Sequence, residues 1–406
     1  MQLSIRRFQA DSGERFSILV DETGMPLYYP ALYITASIRG ASLSINTINH
    51  VLSAIKVVCA WERYYGFSME SRFKRSELLA AHEIHSLRDF MQKPLVETRP
   101  KEGKVVPIKG RPKRVGKETQ YNRMSVAADY LGFIAERLHP ATATSGKEIA
   151  AMVARIKANR PKMGEKIEDD RSTARLEDAL LDSIEQIIRP GSEANPVSDY
   201  GLQMRNALMF TLLRMTGVRR GELLNFKIED FDFAKGTVKV VRRPDSAGDS
   251  RIYQPVAKTR ERTIPLIPEL MDRIREYVSG YRAKVPGARK HGYLFVTHRS
   301  GISQGWPLSN SGFGKFIATL STLSDETAGL HTHALRHHWN YIFSKRCEEQ
   351  GRAPEFEGKM RSYLMGWSET SGTAATYNKR HIKEAAGEAA IGLQNKHLGK
   401  PSDDHE

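Results

Sequence analysis

Four short islands in the second half of the chain carry residue types that do chemistry on anions. They are Thr216-Gly-Val-Arg-Arg-Gly-Glu-Leu-Leu224, Ala257-Lys-Thr-Arg-Glu-Arg-Thr-Ile-Pro-Leu266, His333-Ala-Leu-Arg-His337, and Leu364-Met-Gly-Trp-Ser368 leading to Thr376-Tyr377. Arginine is always charged, and its planar fork matches two oxygens of a phosphate at once. Arg219 alone would read as half of a surface ion pair with Glu222, three residues on, but Gly217 and Gly221 on either side favour a special turn. His333 and Arg336, three apart on an expected helix, share one face and can reach one anion. The crowd of His331, His333, His337 and His338 also raises a metal reading, because His333 and His337 have the i,i+4 spacing of some zinc ligands. No glutamate follows His333 as a His-Glu-x-x-His motif requires, and no third ligand is evident, so no metal is assigned.

The composition suits chemistry on a polyanion. The formal charge is +15 over 406 residues. Between Arg99 and Met163 there are 15 lysines and arginines against 5 acidic residues, an excess of 10 that accounts for two-thirds of the surplus. A concentrated excess points to a nucleic acid partner, ahead of an acidic membrane surface. The residues singled out are Lys109, Arg111, Lys113, Arg114, Lys117 and Arg123. No apolar run is long enough for a transmembrane helix, and Met1 to Ala10 contain no apolar signal-peptide core. Cys59 and Cys347 are the only cysteines, which excludes a disulfide framework and a Cys-x-x-Cys metal site and suits a reducing cytoplasm.

The elements that must position the islands follow from periodicity. Residues 1–40 are rich in strand formers, in Arg15–Val20 and Leu27–Ile34, with Asp21–Gly24 as the turn between two strands. From Ser44, apolar residues at helical spacing (Ile45, Ile48, Val51, Leu52, Ile55, Val58) predict a helix ending near Tyr65. Further helices are predicted at Arg75–Met91, Thr119–Leu138 and Lys147–Asn159. The proline-rich, basic stretch 94–117 reads as a loop or hairpin presenting charge. Beyond the polar stretch 161–174, helices are predicted at Leu176–Ile188, Leu202–Met215, Pro268–Ala283, Ser311–Leu323, His333–Arg346, around Arg361–Met365 and at Arg380–Leu393. Gly236–Val241 and Glu261–Pro265 read as antiparallel strands, and Tyr293–Val296 as one more.

In this order the islands resemble the tyrosine recombinase, or phage integrase, family, whose signatures are Thr-Gly-x-Arg with Gly-Glu-Leu, a hairpin lysine, His-x-x-Arg-His, and Gly-His/Trp-Ser followed by tyrosine. The match covers roughly residues 175–385, with 117 residues from Arg219 to Arg336 and 41 from Arg336 to Tyr377. The fold implied is mainly α with a small antiparallel β-sheet in the catalytic domain. A helical, SAM-like core DNA-binding domain precedes it. The organisation implied is a strand-rich module of unassigned role at 1–40, the helical domain at 41–160, a linker at 161–174, the catalytic domain at 175–385 and a tail at 386–406.

The resemblance implies roles residue by residue. Tyr377 is the nucleophile, whose phenol, with an ordinary pKa of about 10, needs a cationic site to attack at neutral pH. Arg219, rather than its neighbour Arg220, and Arg336 are the phosphate clamp, with Glu222 orienting it. Lys258 is the hairpin general acid that protonates the departing 5′ oxygen. His333 does acid/base work or contacts the phosphate, and His337 supports it from behind. Trp367 stands where many members have histidine; its indole can donate a hydrogen bond but cannot transfer a proton. Ten positions separate Trp367 from Tyr377, one more than the family pattern, and Glu348–Gly358 also looks long. Neither insertion touches a site position.

The activity implied is site-specific recombination of duplex DNA through a 3′-phosphotyrosyl intermediate, as an integrase or transposase-like enzyme of a mobile element, with no metal, ATP or other cofactor. The partners implied are double-stranded DNA, further copies of the chain in a tetramer held by the tail helix, and accessory proteins. The same chemistry serves a type IB topoisomerase, and a third alternative is a DNA-binding regulator that has lost catalysis.

Overall fold

The computed structural model describes residues 3–39, 45–94, 114–163, 176–257, 259–368, 386–387 and 389–395. The chain divides into two units, residues 1–167 and 168–406.

The first unit opens with an antiparallel hairpin, β1 (Ser4–Gln9) on β2 (Arg15–Val20), in register from Ser4 opposite Val20 to Gln9 opposite Arg15. The turn at Asp21 follows, its Oδ1 accepting from the Thr23 amide at 2.9 Å and the Met25 amide at 3.0 Å. It does not lead into a second strand. Tyr28–Tyr33 is helix α1 and Ile34–Arg39 a π-helical continuation, against the strand expected at Leu27–Ile34. The cause is tertiary: Tyr33 packs edge-on against Tyr130 and Phe133, with ring centroids 5.5 and 5.0 Å away, which outweighs the strand preference of its neighbours. Leu3, Leu19, Tyr33 and Ile34 therefore lie in the same core as the helices that follow. Residues 3–39 thus share the core of the helical unit.

Those helices are α2 (Ile45–Tyr65), α3 (Met69–Lys74), α4 (Ala81–Phe90), α5 (Lys117–Leu138) and α6 (Ser145–Ala158). The helix expected at Arg75–Met91 begins only at Ala81; the separate α3 ends just before Arg75, and Ser76, with φ of +62°, turns the chain between the two. The apolar stripe of α2 is buried as its spacing requires. Gly132 lets α5 and α6 cross closely, since a Cβ there would stand 2.7 Å from the Val153 side chain. The expected basic loop lies largely outside the described residues, as does most of the expected linker.

In the second unit, α7 (Asp178–Ile187) and α8 (Tyr200–Thr216) lead to the short α9 (Arg220–Asn225). A three-stranded antiparallel sheet follows, β3 (Phe231–Asp232), β4 (Thr237–Val240) and β5 (Arg262–Pro265), with Val238 opposite both Phe231 and Ile264. Then come α10 (Pro268–Glu276), α11 (Asn310–Leu320), α12 (Thr332–Glu349) and α13 (Pro354–Met365). The segment Tyr293–Val296 is buried but forms only isolated bridges, through Tyr293 to Lys227 and Val296 to Pro307, and is no regular strand.

The core gathers the apolar faces of α7, α8, β4, β5, α10 and α11, with Phe210, Val238, Ile264, Ile274 and Phe313 fully or nearly fully buried. Polar ties hold the layer that carries the site. Arg214 reaches Asp182 at 2.8 Å and Glu185 at 3.2 Å, and the buried His338 meets Asp178 at 3.0 Å, fastening α7 to α8 and α12.

Candidate active site

The site starts where α8 stops. Gly217 is its left-handed C-cap, at φ +61°, and a Cβ there would stand 3.0 Å from the Trp339 ring of α12. Only glycine adopts this backbone without strain and permits that approach. The chain then turns extended at Arg219, the N-cap of α9.

Glu222 closes this turn and is the hub of the site. Its Oε2 accepts from the Arg219 amide at 2.9 Å, and its side chain is fully buried. The same carboxylate accepts from Thr259 Oγ1 and from Arg262, at 3.2 Å for Nη1 and 2.9 Å for Nη2. Burial works to raise the Glu222 pKa. The hydrogen bonds and charge of Arg262, with the Thr259 hydroxyl and the Arg219 amide, outweigh it and hold the carboxyl below its ordinary value. The Arg219 side chain is not a simple surface partner of Glu222: Nη1 lies 3.8 Å from Oε1, too far for a hydrogen bond, and is itself buried. Arg220, its neighbour, is exposed.

Helix α12 supplies His333 and Arg336 from its first turns. Arg336 is 1% exposed, donating from Nη1 to the Gly217 carbonyl at 2.6 Å and from Nη2 to the Met365 carbonyl at 3.3 Å. Its guanidinium lies 5.3 Å from the centre of the Trp367 ring. The α8–α9 turn, α12 and the end of α13 thus meet at one arginine. His333 is close enough to feel the charges of Arg219 and Arg336. Partial desolvation first, then those charges, hold its imidazole below the ordinary histidine pKa. His337 lies one turn on, its ring 6.5 Å from that of His333, and is lowered likewise by burial and by the His333, His331 and Arg336 charges. Among the described residues no three His, Cys, Asp or Glu side chains come together as a metal site.

Trp367 is buried just past the left-handed Gly366, its amide bonded to the Ser362 carbonyl at 2.8 Å. Residues 182–381 match the Phage integrase family. The chain carries a domain of that family.

The chain is 27% identical over 172 residues to the tyrosine recombinase XerD of Halalkalibacterium halodurans, covering 42% of the chain and 50% of the relative. It is 29% identical over 143 residues to XerC of the same organism, covering 34% and 41%. The chain thus spans at most about half the length of these relatives. Among solved structures it is similar to the XerH site-specific recombinase bound to palindromic difH substrate, with TM-score 0.43 and 16% identity over 67% of this chain and 65% of that one. The Tn1549 transposon integrase with circular intermediate DNA gives 0.40 and 15% over 65% and 75%.

Of the residues anticipated for the site, Arg219, Glu222, His333, Arg336, His337 and Trp367 are described. Lys258 and Tyr377 lie outside the described residues, as do Lys109, Arg111 and Lys113 of the basic segment. Arg114 and Lys117 are exposed, the first just before α5 and the second at its first residue. Arg123 faces its own unit: Nη1 donates to the Met91 carbonyl at 3.0 Å and the Lys93 carbonyl at 2.7 Å, capping the end of α4. One residue of the site escaped the sequence reading. Arg262, 1% exposed in its side chain, falls in the second island and an expected strand but was given no role, although the alternation of β5 puts it on the inward face with Ile264. An arginine at an inward strand position was the available signal.

Proposed function

We propose that this chain is a site-specific DNA recombinase, an integrase or transposase-like enzyme that cuts and rejoins duplex DNA. The observation that carries the proposal is the meeting of three segments at Arg336, which bonds the Gly217 and Met365 carbonyls and lies 5.3 Å from the centre of the Trp367 ring. Arg219, His333, Arg336 and Trp367 thereby converge in the order of the family pattern. Arg219 and Arg336 neutralise the non-bridging oxygens of the scissile phosphate, whose charge grows in the transition state. The Tyr377 oxygen attacks phosphorus, giving its proton to His333, and the bond from phosphorus to the 5′ oxygen breaks as Lys258 donates a proton. The products are a 3′-phosphotyrosyl bond and a free 5′ hydroxyl. A 5′ hydroxyl from a second duplex reverses the step, so the linkage conserves the energy needed to rejoin, with no call on ATP or metal.

Residues 41–160 supply phosphate contacts of their own, and 161–174 link them to the catalytic unit. The tail joins copies of the chain on DNA: residues 386–387 and 389–395 are helical, and Ile391 and Leu393 stand 58% and 62% exposed, as a docking helix needs. An enzyme of this kind works in the cytoplasm, on the nucleoid. The test is incubation with nicked duplexes from a randomised-sequence pool, sequencing the strands bound covalently and placing two copies of the enriched sequence on one plasmid. Deletion or inversion between the copies is the expected product. Relaxation of supercoils without exchange would replace this reading with that of a topoisomerase.

A further inference from the structure

The C-terminus of α13 is capped in an unusual way. The last carbonyls of a helix have no partner within it and must find one outside. Here Leu364 O accepts from Arg262 Nε at 2.5 Å, Met365 O from Arg336 Nη2 at 3.3 Å, and Gly366 O from the Arg260 amide at 3.0 Å. Two guanidiniums therefore sit at the negative end of one helix, where cations are favoured. The packing leaves no slack: a Cβ on Gly366 would stand 2.8 Å from Arg262 Nη1 and 2.9 Å from the Arg260 carbonyl.

Arg262 differs from Arg336 in what its other atoms do. While Nε holds Leu364 O, Nη1 and Nη2 fork onto Glu222, whose Oε2 in turn holds the Arg219 amide. A continuous path thus runs from the Arg219 backbone through Glu222 and Arg262 to the end of α13, just before Trp367. A buried ion pair is a poor way to gain stability, because apolar residues of similar volume often do as well. An apolar residue at this position would fill the space yet join neither the carboxylate nor the carbonyl.

We propose that Arg262 is a positioning residue for strand cleavage. It acts through Glu222 and the Leu364 carbonyl, and it sets the turn carrying Arg219 at a fixed separation from the end of α13 that leads into Trp367. The inference rests on the cleavage reaction proposed above. A displacement of about 1 Å between such segments costs on the order of 100-fold in rate without loss of binding.

The test uses the full chain and its Arg262→Met, Arg262→Lys and Glu222→Gln variants, with two readouts. In hydrogen–deuterium exchange, Arg262→Met is expected to speed exchange in 217–223 and 364–368 by about tenfold or more, leaving α10 unchanged, since local opening is confined to the segments that lose their tie. In single-turnover adduct formation on a nicked duplex, Arg262→Met is expected to lower the rate at saturating DNA by about 100-fold while the half-saturating DNA concentration stays within about threefold. Arg262→Lys keeps the charge but not the fork, so it is expected to stay at least about tenfold slow. Combining Arg262→Met with Glu222→Gln should be no worse than the slower single variant, because both cut the same path. Unchanged exchange in either window, an equal rise throughout the second unit, or a loss confined to DNA affinity overturns the proposal. If the unmutated chain forms no adduct, the recombinase reading fails, and exchange still decides whether Arg262 joins the two segments.

Discussion

Replacing Glu222 with glutamine keeps the shape of the side chain and removes its charge, and the consequences can be worked from its surroundings. The carboxylate is fully buried and accepts from Arg219, Thr259 and both Nη atoms of Arg262, whose own side chain is 1% exposed. Glutamine offers one oxygen to these donors and turns an N–H group toward a buried guanidinium. Removing one partner of a buried pair costs about 3–5 kcal/mol, and the remaining acceptor places the expectation near the lower end, about 3 kcal/mol. Denaturant unfolding followed by tryptophan fluorescence measures it, because Trp306, Trp339 and Trp367 all lie in the second unit and only Trp61 in the first. The pH dependence is a second check. The folded-state pKa of Glu222 lies below its ordinary value. Its contribution is therefore complete above the ordinary carboxylate range and is lost as pH falls through the folded value. The difference between the parent and Glu222→Gln should be constant from neutral pH down to about 5 and shrink below that. A difference under about 0.5 kcal/mol at pH 7, as for an ordinary surface change, would refute the hub role. So would a difference that does not shrink on acidification.

Three further outcomes are expected. Gly366→Ala should destabilise the second unit by about 2 kcal/mol or more, since a non-glycine residue at φ +66° is strained and its Cβ meets Arg262 and Arg260, and a thermal melt equal to the parent's would contradict the tight cap. Because His333 is held below the ordinary histidine pKa, adduct formation should rise with pH on a limb below about 6.5 and level off above it, and His333→Gln should remove that limb; a parent limb centred above neutrality would be the wrong sign. Arg123→Met should lower the stability of the first unit by about 1–3 kcal/mol through the two uncapped carbonyls, yet leave the slope of log Kd against log salt unchanged, whereas Arg114→Ala and Lys117→Ala should each reduce that slope by about 1.

How much of this was legible in the sequence depended on the range of the interactions. The long helices such as α2, α5, α8 and α12 follow from spacing, because an amphipathic stripe is a local property, whereas the short α1, α3 and α9 do not. Arg219, His333, Arg336 and Trp367 were recognisable from short islands, because glycines and residue spacing within each island are local too. Two features were not legible. Residues 28–39 carry strand-forming side chains, and their helix is decided by Tyr130 and Phe133 about a hundred residues away. The capping of α13 by Arg262 joins positions 102 residues apart, which no local pattern encodes. The inward phase of β5 marked Arg262 as unusual without naming its partners.

The central claim is that Tyr377 attacks the phosphodiester held by Arg219 and Arg336, and trapping the covalent intermediate tests it most directly. The parent chain and Tyr377→Phe are incubated with the nicked cognate duplex, and the adduct is digested and mapped by mass spectrometry. The account predicts a nucleotide-linked peptide containing Tyr377 in the parent and no adduct in the variant. An adduct that persists in Tyr377→Phe, or one that maps to the exposed Tyr363, would contradict it.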